Sequence, residues 1–239
     1  MGKSVIEELL DLIYPPRCPI CGNITDDKIN YVCKTCKNKL HSIKEPRCMK
    51  CSKPILNEET EYCYDCEKRL FHYDRGMALW IYDDIMKKSI GDFKYHGRKE
   101  YSKFYGKALA EEYGNWVQSI DADALIPVPL HKQKQKARGY NQAELIAKEV
   151  GARIKVPVRT DILYRQHYTM PQKELNDVER RKNLARAFQV KKDIFFLKKI
   201  ILVDDIYTTG STIEACTNVL LEHGIQQVYF LSVCIGKGF

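Results

Sequence analysis

Nowhere does this 239-residue chain hold the ~18 consecutive apolar residues that a membrane-spanning helix needs, so no membrane span is expected. The first apolar stretch, Val5 to Ile13, is interrupted by Glu7, Glu8 and Asp11, which leaves an amphipathic helix at best and no secretory signal. Low-complexity tracts are also absent, and the hydrophobic content is that of a globular chain. With neither signal nor span, a cytoplasmic location is expected. Its ten cysteines then stand in a reducing compartment, which argues against the disulfide framework of a small secreted domain.

Eight of those cysteines fall as four Cys-x-x-Cys pairs: Cys18/Cys21, Cys33/Cys36, Cys48/Cys51 and Cys63/Cys66. Two-residue spacing lets both thiolates of a pair reach one metal from a knuckle turn, and two knuckles complete a tetrahedral site. Eight ligands imply two structural Zn²⁺. Gly22 follows the first pair, where a positive φ is often required. The pairs begin at 18, 33, 48 and 63, a constant step. The simplest arrangement is sequential, the first four cysteines on one ion and the next four on the other, but a constant step fits an interleaved cross-brace as well. Cys216 and Cys234 stand apart in apolar surroundings and are expected in the core. A zinc module over residues 1–70 leaves 71–239 for a single α/β domain.

Charge is unevenly spread. Residues 1–70 carry a net +1 and residues 131–199 a net +11, against +8 for the whole chain. Such a basic region suits a polyphosphate, a nucleic acid or both, although the lysine run Lys132, Lys134, Lys136 reads equally well as a solvated surface.

Ile200 to Thr212 is the most informative segment. Ile200, Ile201, Leu202 and Val203 suit a strand buried on both faces of a parallel sheet. Asp204 and Asp205 follow where that strand should emerge, then come Thr208, Thr209, Gly210, Ser211 and Thr212. Ser211 and Glu214 are spaced as a capping box, so a helix is expected to open at Ser211 and run to about residue 223, with Gly224 as its stop. A strand, a small-residue turn and a helix N-terminus make an anion site. The carboxylates beside it suit a sugar diol or a hydrated Mg²⁺. Phosphate plus ribose is the implied ligand.

Elsewhere strands are expected at Met77–Tyr82, Ala124–Val128 and Val228–Val233, and helices at Asp84–Gly91, Lys99–Gln118 and Asn141–Ala152. Gln166 to Arg186 is polar and has little buried character. Alternating strands and helices argue a parallel sheet flanked by helices, with ligands gathering at the carboxyl ends of the strands.

The run Asp-Asp-Ile-Tyr-Thr-Thr-Gly-Ser-Thr resembles the 5-phosphoribosyl-1-pyrophosphate (PRPP) motif of type I phosphoribosyltransferases. The resemblance implies that Asp204 and Asp205 meet the ribose 2- and 3-hydroxyls, that Thr208 to Thr212 wrap the 5-phosphate, and that Mg²⁺ accompanies the ligand. Some purine enzymes of this class carry a further acid where this chain has Thr208, which puts base-directed catalysis in doubt. Pro127-Val128-Pro129-Leu130 followed by Arg138-Gly139-Tyr140-Asn141-Gln142 is similar to the ComF late-competence family, which includes GntX-like proteins. So are Phe93 to Gly97, the set Gln172, Leu175, Arg180, Asn183, Ala187 and Phe188, and the paired zinc knuckles. That family resemblance implies a double zinc ribbon preceding a type I phosphoribosyltransferase domain.

Arg138 is a sensible clamp for pyrophosphate, because a planar guanidinium binds phosphate oxygens bidentately, and Lys94 adds a point charge. Arg180 and Asn183 would close over the ligand, or Arg180 and Arg181 form a solvated helix face. His96, His131 and His167 read as surface histidines. Two functional classes follow. In the first, PRPP loses pyrophosphate to a nucleophile on a nucleotide or nucleic acid. In the second, the domain binds PRPP or single-stranded DNA without turnover, Tyr140 and Tyr168 stacking on bases, and serves a partner. The family resemblance implies a competence helicase as that partner and uptake of DNA as the setting; nucleotide salvage is a further alternative.

Overall fold

The computed structural model describes residues 15–25, 27, 29–166, 187–191 and 194–237. The expected helix at Val5 to Ile13, and the roles given to His167, Tyr168, Gln172, Leu175, Arg180, Arg181 and Asn183, lie outside the described residues.

The main sheet takes strands β1 (Arg75–Ile81), β2 (Ala124–Pro127), β5 (Lys199–Tyr207) and β6 (Gln227–Ile235) in the order β1-β6-β5-β2. All three pairings are parallel, as the aliphatic runs require of strands covered on both faces. Ile200 to Val203 at the centre are fully buried. Their side chains alternate between two clusters. Ile201 and Val203 join Met77, Leu79, Leu231 and Val233 on one face. Ile200 and Leu202 join Ala78, Val228 and Phe230 on the other.

Helices α3 (Asp84–Tyr95), α4 (Tyr101–Ile120) and α6 (Gln142–Ile154) cover the first face. Gly106 of α4 lies so close to α6 that a Cβ there would sit 2.3 Å from the Glu149 Cβ. Helix α7 (Ser211–Glu222) covers the second face. A short helix, α5 (Lys132–Arg138), follows β2, and a two-stranded antiparallel sheet pairs β3 (Leu163–Arg165) with β4 (Phe188–Val190). A bridge between His131 and Arg165 sets this small sheet beside the end of β2.

Element boundaries differ from expectation in an instructive way. The motif strand does not end at Val203. Its ladder continues through Asp204↔Ser232, Ile206↔Cys234 and Tyr207↔Ile235, so both acids sit within the strand. The capping box does not form. Helix α7 opens at Ser211, but its N-cap is Gly210 at φ 78°, with no side-chain cap. Glu214 instead accepts a hydrogen bond from the His72 backbone N–H at 2.9 Å and another from its ring. The competition is physical: a tertiary partner with an orphan donor outbids a local cap.

The cysteine segment forms two similar units. In the first, Cys18 and Cys21 lie on a tight turn, Gly22 N donating to Cys18 O at 2.8 Å with Gly22 at φ 76°. Cys33 and Cys36 lie on helix α1 (Lys34–Lys37) and its N-cap. In the second, Ser52 takes the place of Gly22, at φ 63° and with Ser52 N to Cys48 O at 2.9 Å. Cys63 caps helix α2 (Tyr64–Lys68), which carries Cys66. Turn and helical start therefore alternate, and the structural repeat spans two steps of the cysteine spacing. The knuckles expected at the second and fourth pairs are helical starts.

The first unit packs Cys18, Ile20, Val32 and Cys36 into the cluster under α3 and α4. The second packs Cys48, Cys51 and Cys63 into the cluster under α7. One unit thus joins each face of the sheet. Among the described residues, no helix is long and apolar enough to cross a membrane.

Candidate functional site: a cationic cleft over two strand-borne carboxylates

β2 and β5 are neighbours, and their carboxyl ends open into a cleft of ≈320 Å³. Asp204, Asp205, Thr208 and Thr212 line it from the motif, with Lys94 from α3, Lys134 and Arg138 from α5, and Arg165 from β3. Four segments remote in sequence are brought together here, among them the carboxylates, Arg138 and Lys94 that the sequence pointed to.

Lys94 holds Asp205 directly, Nζ to Oδ2 at 2.8 Å, and both side chains are largely buried, 18% and 10% exposed. Asp204 turns an oxygen to the Asp205 backbone N–H at 2.8 Å. Burial of the Asp204 carboxyl and the neighbouring Asp205 charge push its pKa up to about 7. Burial disfavours the Lys94 ammonium, but the Asp205 charge and hydrogen bond outweigh it and raise its pKa overall. Burial, then the charges of Arg165 and Arg138, pull Lys134 down; burial likewise pulls Arg165 down against the attraction of Asp204. Lys134 thus lies among like charges, a repulsion that an anion entering the cleft would relieve.

Arg138 is positioned by Tyr95, its guanidinium 4.9 Å from the ring centre, and by the Gln142 Oε1, which accepts from Nη1 at 2.9 Å. The 208–212 loop is shaped by Gly210. A Cβ there would fall 2.4 Å from the Tyr207 hydroxyl and 2.9 Å from the Phe71 ring, at a φ that L side chains rarely adopt. Thr209 and Ser211 share a hydroxyl–hydroxyl bond at 3.0 Å. Ser211 borders a second cleft, lined also by Lys68, Arg69, Phe71 and Glu214, so the loop residues do not all face the first one.

One expectation changes. Tyr140 is 7% exposed, its hydroxyl donating to the Phe93 carbonyl, so it packs in the core and is not available to stack on bases. His96 bonds Asp92 at 2.7 Å, and His131 accepts from Gln133 N as the N-cap of α5; neither lines the cleft. Cys216 and Cys234 are fully buried, as expected. Arg165 was not legible beforehand, because the His131–Arg165 bridge, a pairing between segments distant in sequence, sets its three-residue strand beside the cleft. Tyr95 beside Arg138 was legible in principle, since it neighbours Lys94.

The eight paired sulfurs fall into two groups, Cys18/Cys21/Cys33/Cys36 and Cys48/Cys51/Cys63/Cys66, the sequential arrangement. Zinc bound at about 2.3 Å by four thiolates requires sulfurs about 3.8 Å apart. Cys18–Cys33 lie at 3.7 Å, Cys21–Cys33 at 3.9 Å and Cys51–Cys63 at 3.6 Å. The donor sets fit tetrahedral zinc in both units.

Comparison with known proteins agrees. Residues 9–67 match the family model described as a double zinc ribbon domain. Competence protein F of Haemophilus influenzae is 28% identical over 83% of this chain and 94% of its own length. Competence protein ComFC of Bacillus subtilis is 28% identical, covering 81% and 79%. DNA utilization protein YhgH of Escherichia coli O157:H7 is 24% identical, covering 85% and 89%. The likeness to ComF proteins read from the motifs therefore extends along most of the chain. Among solved structures, a purine phosphoribosyltransferase from Pyrococcus horikoshii is 14% identical, covers 57% of this chain and 81% of its own, and aligns with a TM-score of 0.34.

Proposed function

We propose that this chain is a phosphoribosyltransferase-like protein that binds Mg²⁺-PRPP in the cleft and handles incoming single-stranded DNA during natural transformation. The observation that carries the reading is the convergence of two carboxylates, four basic side chains and the ends of the Thr208–Thr212 loop on one cleft. In this reading Asp204 and Asp205 take the ribose hydroxyls, with Lys94 released from Asp205 toward phosphate. The loop Thr208, Thr209, Gly210, Ser211 and Thr212 takes the 5-phosphate at the start of α7, and Arg138 takes pyrophosphate. Asp204 and Asp205 are oxygen donors of the kind that would hold Mg²⁺, which would offset the ligand's phosphate charge. Residues 1–70 act as the zinc-ribbon unit and 71–239 as the ligand-binding unit.

A non-catalytic reading is favoured by one observation: Thr208 borders the cleft where an acid would serve as base. The chain would then hold PRPP or DNA for a partner such as a competence helicase. Calorimetry with Mg²⁺-PRPP tests the shared premise. Asp204→Asn with Asp205→Asn should weaken binding by roughly 1.5–3 kcal/mol for each charge-assisted bond lost. Unchanged binding in the double variant would place the ligand elsewhere. Incubation with PRPP, Mg²⁺ and single-stranded DNA, read as pyrophosphate release, separates turnover from binding alone.

A further inference from the structure

The two zinc units repeat one another, yet the chain uses them differently. The first ends against α3 and α4, on the sheet face away from α7. The second runs straight into the residues that hold the 208–212 loop. Its helix α2 ends at Lys68, and the next residue, Arg69, donates Nη1 to the Thr209 carbonyl at 3.4 Å. Arg69 also reaches back to Asp65 at 3.9 Å, and Asp65 in turn pairs with the buried Lys53 at 2.6 Å. Phe71 lies against Gly210, where no Cβ fits. His72 engages Glu214 in the first turn of α7 through both its backbone N–H and its ring. Tyr73 and Tyr207 share a buried hydroxyl–hydroxyl bond at 2.7 Å.

Tyr207 precedes the loop, Thr209 and Gly210 lie within it, and Glu214 follows it. All three places are therefore held by residues 69–73, which leave the second zinc site directly. A loop ordered beforehand spares its ligand the entropic cost of ordering it.

We propose that the second zinc unit clamps the phosphate loop through positioning residues Arg69 and His72, so that ligand affinity depends on the second zinc site and not on the first. The proposal rests on the reading of Thr208–Thr212 as a 5-phosphate loop. It makes the second site a place where metal loss or thiol oxidation would reach ligand binding.

Three variants of the full chain test it, with zinc content measured for each: Cys33→Ser, Cys63→Ser and the double Arg69→Ala/His72→Ala. Two readouts are used, ribose 5-phosphate binding by calorimetry and hydrogen exchange of the backbone amides of residues 207–214. Cys63→Ser should speed loop exchange and weaken ribose 5-phosphate on the order of tenfold, the equivalent of one or two lost hydrogen bonds. The double variant should do the same by several-fold while keeping both zinc ions, and using Arg69→Lys in place of Arg69→Ala should recover part of the exchange protection. Cys33→Ser should leave both readouts within about twofold, since none of its unit's described residues bonds to the loop. Equal perturbation by Cys33→Ser and Cys63→Ser would overturn the proposal. So would parental loop exchange in the double variant, which also decides the matter if Cys63→Ser does not fold. A parent that binds no ribose 5-phosphate defeats the ligand reading separately, and the exchange data still judge the clamp.

Discussion

Replacing Lys94 by methionine should destabilise the protein by an amount that grows with pH. The ion pair it removes is short, 2.8 Å, and its two side chains are 18% and 10% exposed. Taking one partner from a buried pair costs about 3–5 kcal/mol, because the other charge is left unmatched; partial contact with water argues for the lower end. Asp204, already pushed up to about 7 by burial and by Asp205, adds a second carboxyl to the same space. In the variant the acids relieve their imbalance by taking up a proton that the unfolded chain, with ordinary aspartates, releases near pH 4. Such a group is stabilising while protonated and loses that contribution as pH rises, by up to about 1.4 kcal/mol per unit. The loss relative to the parent should therefore be roughly 1.5 kcal/mol at pH 5 and roughly 3 kcal/mol at pH 8. The parent has its own trend of the same sign from Asp204, which the difference removes. Urea unfolding followed by the fluorescence of Trp80 and Trp116 measures it, provided the denaturant slope is unchanged. A loss equal at both pH values, or below about 1 kcal/mol at pH 8, would refute the argument that this pair is buried and unscreened.

Elemental analysis should find two zinc ions per chain, and Cys33→Ser should lose one of them, because its sulfur lies within reach of Cys18 and Cys21. Mg²⁺-PRPP should bind more tightly as pH rises through about 7, where Asp204 ionises; the part of that slope absent in Asp204→Asn belongs to this carboxyl. If the variant keeps the whole slope, the titrating group is another. Single-stranded DNA should bind with an affinity that falls with salt by a slope of about 0.7 per phosphate contact. Replacing Lys132, Lys134 and Lys136 by alanine should flatten that slope by about 2, whereas an unchanged slope makes α5 an ordinary solvated helix.

The zinc ligands were legible because a thiolate pair two residues apart is a local device, complete within one turn. Their sequential grouping was the simpler of two arrangements the spacing allowed, and the fold selects it; the alternation of turn and helical start within the even spacing shows only in the backbone conformation. The central strand was legible from four aliphatic residues in a row, but its length was not. The ladder with β6 carries it through Asp204 and Asp205 to Tyr207, and a partner strand far along the chain supplies those bonds.

The same division runs through the cleft. Asp204, Asp205, the 208–212 loop, Arg138 and Lys94 were nameable because motif and residue type carry their chemistry. The ion pair between Lys94 and Asp205, the arrival of Arg165 and the burial of Tyr140 were decided by packing between segments distant in sequence. Glu214 shows the contest most plainly. Local spacing offered it a capping role, and the fold gave it to His72 instead, because residues 69–73 reach the start of α7 only once the chain has folded over the sheet. Local sequence determines what each side chain is able to do; which neighbour it meets depends on the path of the whole backbone.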